Sequence, residues 1–431
     1  MMDVPLDTWL LFSAAGRHHH RSEIVSRLPS GELHRYHYGA FSTRAQQLMG
    51  ALDTLGVAAG ERVATLAWNG FRHLEAYFGV PCAGRVLHTL NVRLSADELA
   101  FIMNDADDRA ILVDADFVPL LEEVAPRVPG LRHVVVLGDA EPATSLPGVV
   151  AYERLIAAEA PTYDRPVLDE RSACGICYTS GTTGRPKGVV YTHRSTFLHA
   201  LGASSSAGLA IGPRDCVLPQ VPMFHVNAWG MPYAGVAVGA KIALYAGAFE
   251  AVAFADLLLG ERVTVAAGVP TVWIGLADEL GRRAEPPRAL RHIVCGGSQP
   301  PRALIERYRR DFGVRVVQAW GMTETSPLAS MAWPQERMRD WSEDDVTTAA
   351  RTQAGLPVPG VEISIRDEAG AEVPFDGATM GALYVRGPWS PTATSTGRGP
   401  PASPRTGGST PVTSPSGRPT GTLSSPTGPR T

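Results

Sequence analysis

The sequence predicts an α/β protein in which buried parallel sheets are covered by helices, followed by a smaller antiparallel unit from about residue 355. Three observations lead there. Six short apolar, β-branched runs are spread between residues 62 and 297. Amphipathic helical patterns separate them. The style then changes to alternating strands with turn chemistry between them.

The six runs are RVATLAW (62–68), RAILVDA (109–115), HVVVLGD (133–139), KIALYAG (241–247), VTVAAGV (263–269) and RHIVCGG (291–297). Near-continuous apolar strands alternating with helices are the pattern of parallel sheets buried on both faces. ALIERYRRDFG (303–313) shows the helical period and closes on a glycine stop. GVEISIRDEAGAEVP and GALYVRG, within 355–388, read as antiparallel strands with Glu-Ala-Gly as the turn. No internal repeat is present.

With 431 residues and 45.9 kDa the chain has room for two to four structural units, and its 44% apolar content is ample for large cores. A net charge of −4 leaves no bulk basic field for nucleic acid or an anionic membrane. No apolar run approaches the roughly 18 residues of a membrane span. The N-terminus lacks the pattern of a signal peptide, and five scattered cysteines (82, 174, 177, 216, 295) suit reduced thiols in the cytoplasm. The triple histidine 18–20 and Cys174-x-x-Cys177 lack the four-ligand spacing of a zinc site. They read as a surface cluster and as two buried cysteines on a core strand.

Lysine is scarce: only Lys187 and Lys241, against 37 arginines. Lys187 falls in the sharpest feature of the chain, Tyr178-Thr179-Ser180-Gly181-Thr182-Thr183-Gly184-Arg-Pro-Lys187-Gly188, directly after the apolar run ACGIC. A strand running into Gly, Ser and Thr is a phosphate cradle. The glycines at 181, 184 and 188 permit tight turns and close approach of N–H groups to anionic oxygens. The hydroxyls add donors and Lys187 a charge. The P-loop of NTPases is excluded, because the lysine precedes its glycine and no Ser or Thr follows.

This stretch closely resembles the signature loop of the adenylate-forming superfamily, which comprises acyl-CoA synthetases, luciferases and peptide-synthetase adenylation domains. The resemblance runs from about residue 35 to 389, with further motifs in order. Val221-Pro-Met-Phe-His225-Val226-Asn-Ala-Trp229 resembles the segment that builds the acyl pocket. Gly296-Gly297-Ser298 resembles the loop flanking adenine. Gln318-Ala319-Trp320-Gly321-Met322-Thr323-Glu324 resembles the Y-G-x-T-E motif, with Trp in place of Tyr. MFHVNAW and AGVPTVW (267–273) look most like medium- and long-chain fatty acyl-CoA synthetases.

The resemblance implies two helix-covered, mostly parallel sheets plus a small β-barrel-like subdomain. It implies ATP-dependent activation of a fatty acid through acyl-AMP to acyl-CoA, with ATP, Mg²⁺ and CoA as partners, and it allows a homodimer. Trp320 would stack on adenine, Thr323 would bond the α-phosphate, and Ser180 and Glu324 would hold Mg²⁺. Lys187, Thr323 and Glu324 form the expected catalytic set. His225, Val226 and Trp229 would line or gate the acyl tunnel, whereas His193 reads as structural or surface. The alternatives are a non-catalytic acyl- or nucleotide-binding fragment and adenylation of another carboxylic acid. An amino-acid-activating domain needs a pocket carboxylate for the substrate amine, and 221–233 contains none.

After Trp389 the chain becomes low-complexity: 42 residues of Thr, Pro, Ser, Gly, Arg, Ala, Val and Leu, without an acid or an aromatic. Such a composition cannot offset its ordering entropy, so 390–431 is expected to be a disordered tail beyond a 1–389 AMP-binding domain. The family continues here with a Thr-Gly-Asp ribose motif, a hinge and a mobile domain. Every residue type in the tail has a four-fold codon box. Read one base out of frame, Thr406 to Pro415 can encode Asp-Gly-Trp-Phe-His-Thr-Gly-Asp-Val-Ala. The expectation is a frameshifted, truncated synthetase with weak nucleotide binding and little thioester formation. A genuine Pro/Thr/Ser tail is the competing reading.

Overall fold

The computed structural model describes residues 2–179, 186–376 and 379–391, with the backbone of Thr394–Ser395 and Thr410–Val412. Among the described residues two large sheets dominate. The first has nine strands. Six are parallel neighbours, in the order Arg315–Gly321, His292–Cys295, Val265–Gly268, Cys216–Pro219, Lys241–Tyr245 and Glu23–Arg27. Antiparallel strands flank this block at both edges. The second has eight strands, with a parallel block Ala173–Thr179, Val86–Thr89, Arg62–Leu66, Asp108–Val113, His133–Val136 and Val150–Ala151. All six strand runs expected from the sequence are therefore strands, and all lie in these parallel blocks.

Period-two alternation sorts each strand between two cores. Val63, Leu87 and Ala110 of the second sheet share one core with Ile24, Val217 and Ile242 of the first. Helices Thr8–Arg17, Tyr38–Thr54, Phe71–Cys82 and Met231–Val238 contribute to that same core. Their aromatics interlock there: Phe12 stacks on Phe78 at 5.7 Å, and Phe78 meets Tyr233 edge-on at 5.3 Å. The next residues along, Val25, Leu218 and Ala243, turn to the other face and pack under Ala251–Gly260, Pro270–Leu280 and Arg302–Phe312. Ala64, Leu66 and Ile111 do the same beneath Ala96–Ala106 and Val118–Val124. The layering is α/β/α/β/α, as the apolar strand runs require.

Local signals place the helix ends. Ser95 and Glu98 form a capping box at the start of Ala96–Ala106. Gly313, at φ 67°, closes Arg302–Phe312 in the left-handed region. The later unit pairs Glu362–Arg366 with Ala382–Arg386 antiparallel, and Thr410–Val412 adds a third strand. Among the described residues the small unit is thus a three-stranded antiparallel sheet. Trp389, 3% exposed, is wedged against Gly202 and His199 and donates its indole N–H to the Leu328 carbonyl at 3.0 Å. Thr394–Ser395 pairs with Gly188–Val189. Composition alone led to an expectation of no strand within 390–431.

The histidines at 18 and 20 are exposed, whereas His193 is fully buried with Nδ1 3.0 Å from the Thr8 hydroxyl. Cys174 and Cys177 are buried on Ala173–Thr179. One polar cluster crosses the core between helices. Arg44 reaches Glu75 and Glu153, both at 2.7 Å, and the Tyr152 hydroxyl donates to Glu75 at 2.7 Å. Burial pushes the Glu75 carboxyl up, against the pull of Arg44. Tyr152→Phe removes one donor from a fully buried acid. We expect a loss of about 2 kcal/mol in denaturant titration, with unchanged secondary structure by circular dichroism.

Candidate active site

The parallel block of the first sheet carries its motifs on loops at the carboxyl ends of its strands, where open α/β sheets place ligands. Gly296-Gly297-Ser298 follows His292–Cys295. The motif 318–324 ends Arg315–Gly321. The segment 221–229 follows Cys216–Pro219. Three of these loops meet at one point. A Cβ on Gly296 would lie 2.7 Å from the Trp229 indole and 3.1 Å from the Ala319 carbonyl oxygen. Gly296 is therefore needed for close approach, and Gly297, at φ 78°, for its backbone turn.

The 318–324 motif is braced at both ends. The Gln318 side-chain amide donates to the carbonyls of Arg351 and Ala350, at 3.0 and 3.1 Å. Gln318 thus ties the motif to the end of helix Glu343–Thr352. Trp320 is half-buried and packs against the central core. Beyond a bulge between Trp320 and Gly321, the chain makes a single 3₁₀ turn, Thr323–Thr325. Thr325 accepts from Met322 N–H at 2.8 Å and closes that turn. Thr323 is buried, and its carbonyl accepts from the Tyr191 hydroxyl at 2.9 Å. Glu324 is half-buried, with no ion-pair or hydrogen-bond partner among the described residues.

The phosphate-loop motif is a hairpin. Ala173–Thr179 and Lys187–Thr192 pair antiparallel, with Thr179 opposite Lys187 and Tyr178 opposite Gly188. Ser180, Gly181, Thr182, Thr183 and Gly184 lie outside the described residues. Lys187 is half-buried, and its ammonium has no acidic partner among the described residues. Gly188 departs from expectation: it sits within a strand rather than a turn. A Cβ there would press on the Tyr178 ring at 3.2 Å, so its role is to admit that ring. Tyr191 lies on the second strand of this hairpin, so its bond to Thr323 joins the phosphate hairpin to the 318–324 motif.

The acyl-pocket segment has an unusual backbone. Val226, Asn227, Ala228, Trp229 and Gly230 all have positive φ, between 46° and 71°. They form one left-handed turn, disfavoured by about 1–2 kcal/mol for each non-glycine residue. Surrounding contacts impose it. Asn69 clamps the approach, donating to the carbonyls of Pro219 and Val221 (3.0 and 2.9 Å) and accepting from Met223 N–H at 2.6 Å. The Tyr77 hydroxyl donates to the Met223 carbonyl. A Cβ on Gly230 would overlap the His199 ring. Val226 and Ala228 are buried, Trp229 is half-buried against Gly296, and His225 faces solvent. Neighbouring chain and the Arg93 charge nonetheless hold the His225 pKa below its ordinary value.

Sequence reasoning missed Asn69, Tyr77, Tyr191 and His199. Each acts across more than a hundred residues of chain, and no local pattern marks such a partner.

The profile of the family described as AMP-binding enzyme matches residues 11–392. The long-chain-fatty-acid–CoA ligase of Thermus thermophilus is 46% identical over 389 residues, covering 90% of this chain and 70% of that protein. The medium-chain-fatty-acid–CoA ligase of Ectopseudomonas oleovorans is 39% identical over 381 residues, covering 88% and 70%. The crystal structure of the anthranilate CoA ligase AuaEII in complex with anthranoyl-AMP shares the fold, with a TM-score of 0.79 at 24% identity over 91% of this chain and 72% of that one. Profile, relatives and geometry agree, and the chain belongs to the AMP-binding, adenylate-forming enzyme family.

Proposed function

We propose that the protein binds ATP and a fatty acid and joins them as acyl-AMP for transfer of the acyl group to CoA. The observation that carries this is the meeting of Trp229, Gly296 and Ala319, with Tyr191 tying the phosphate hairpin to Thr323. An acyl wall, an adenine wall and a phosphate-binding hairpin thereby share one rim. The relatives named for long- and medium-chain fatty acids set the substrate class. Residues 1–389 are the adenylate-forming unit in this reading, supported by the burial of Trp389 at its far end.

In this mechanism a carboxylate oxygen attacks the α-phosphorus, the bond to pyrophosphate breaks, and the thiol of CoA then displaces AMP. Charge neutralisation and positioning do most of the work, and no protein nucleophile is needed. Lys187 faces the polyphosphate from the hairpin. Thr323 bonds the α-phosphate. Trp320 lies along adenine, and Gly297 and Ser298 border it. His225, Val226 and Trp229 border the acyl chain. Glu324, with Ser180, suits Mg²⁺, since an unpaired carboxylate is the hard oxygen donor such an ion prefers. When bound, the ion would neutralise phosphate charge. The five cysteines are all free and buried, which fits a reducing cytoplasm. Among the described residues no helix is long and apolar enough to cross a membrane.

Titration of ATP with Mg²⁺ by calorimetry, with and without a fatty acid, tests this reading. Glu324→Gln and Lys187→Ala should each weaken binding at least about tenfold, because each removes a charge-assisted contact. Mass spectrometry should detect acyl-AMP when a medium- or long-chain acid is present. Absence of ATP binding, or equal binding by both variants, would overturn it.

A further inference from the structure

We propose a second anion site, for a small phosphate-bearing molecule, at the opposite ends of the same strands. It is independent of the adenylate reading. An open surface cavity of about 460 Å³, a depression rather than an enclosed chamber, lies where Cys216–Pro219, Lys241–Tyr245 and Val265–Gly268 begin, lined by Ser22, Arg214, Asp215, Lys241, Arg262 and Thr264. These strands are four or five residues long, so the cavity lies about 13 Å or more from the loops at their carboxyl ends.

The charges around it do not cancel. Asp215 is satisfied by Arg291 at 2.7 Å, the Thr264 hydroxyl at 2.7 Å and the Gly212 N–H at 2.8 Å. Lys241 bridges Glu23 at 2.5 Å and Glu261 at 2.8 Å, and Arg35 pairs with the same two acids. Every acid is thus matched by a cation. The guanidinium groups of Arg214 and Arg262, both exposed residues, are left over, with no ion-pair, side-chain hydrogen-bond or ring partner among the described residues. Two unmatched guanidinium groups line one cavity in a chain of net charge −4, and each is a fork-shaped donor of the kind suited to phosphate.

The backbone adds a second sign. Arg262 follows the end of helix Ala251–Gly260 at φ 53°, the left-handed position that glycine usually fills. Keeping an arginine there costs roughly 1 kcal/mol or more. Attraction to the negative end of its own helix offsets part of that cost. That attraction does not explain Arg214, which sits in the turn after Gly212-Pro213, or the space between them.

The test is calorimetric titration of the full chain with inorganic phosphate and with pyrophosphate, against chloride at matched ionic strength. We expect saturable binding to wild type and to Lys187→Ala, and at least tenfold weaker binding to Arg214→Ala/Arg262→Ala of unchanged melting temperature. If the double variant does not fold, Arg214→Glu alone should give the same loss. No saturable binding to wild type, equal binding to the arginine variants, or loss of binding in Lys187→Ala would each overturn the proposal. Failure of ATP or fatty-acid binding at the other end leaves it intact.

Discussion

Gly321→Ala is expected to destabilise the protein by at least about 4 kcal/mol and to abolish ATP binding. A Cβ at this position would overlap the Pro327 carbonyl oxygen and lie 2.7 Å from its carbon. Both obstacles are backbone, so no side chain can rotate away. The strand Leu328–Met331 behind them is pinned by pairing on both sides. Relief therefore requires the 322–327 turn to open, which breaks the Met322 N–H bonds to Thr325 and Pro327 and moves Thr323 and Glu324. Losses above 4–5 kcal/mol are exceptional and accompany such steric conflicts. Gly370→Ala is the control: it is a turn glycine at φ 82° with nothing within 4 Å, so only backbone strain of about 1 kcal/mol opposes it. Thermal melts and ATP titration of the two variants should separate clearly. Similar melting temperatures would refute the steric account.

The contrast also shows what the sequence can carry. The six apolar runs announce their strands because burial on both faces leaves no polar alternation. VTVAAGV only begins pairing at Val265, since Val263 still packs as a loop residue after Arg262. Gly181 to Gly188 reads as one turn-rich block, yet Gly188 serves to admit the Tyr178 ring, a cross-strand need that appears only once the register is fixed. The left-handed turn 226–230 is invisible beforehand. Val, Ala and Trp have no propensity for it, a lone Asn is too weak a signal, and Asn69, Tyr77 and His199 impose it from elsewhere in the chain. The change of composition at Trp389 was legible, and the burial of that indole shows that packing extends up to it.

Acid should destabilise this protein steeply, well above the usual carboxylate range. Besides His88, which pairs with Asp108, four histidines are buried: His73, His193, His199 and His292. Burial pushes the first, second and fourth down to about 4 and His199 to about 3, from an ordinary 6.5. Their hydrogen bonds require the neutral ring in two cases. His199 Nε2 accepts from Leu328 N–H at 3.2 Å, and His193 Nδ1 accepts from Thr8 N–H at 3.4 Å. Above pH 7 both folded and unfolded histidines are neutral and contribute no pH dependence. As pH falls below 6.5 the unfolded chain takes up protons that the folded chain refuses, so stability drops until about pH 4. Each such group contributes up to about 1.4 kcal/mol per pH unit. Asp114 opposes them: burial raises it to about 7, so the folded state takes up its proton first, and Glu75 and Asp108 shift in the same direction. The net slope expected between pH 6 and 4.5 is positive and at most about 4 kcal/mol per unit, the four histidines less Asp114, and it is smaller by whatever Glu75 and Asp108 take up. Urea titrations at pH 7.5, 6.5, 5.5 and 4.5 measure it directly. His199→Gln should flatten the slope by about one proton even though it lowers stability at pH 7.5. A stability that is flat or rises as pH falls from 7 to 5 would show that these rings are hydrated, and that the core around Trp389 and Leu328 is looser than its hydrogen bonds imply.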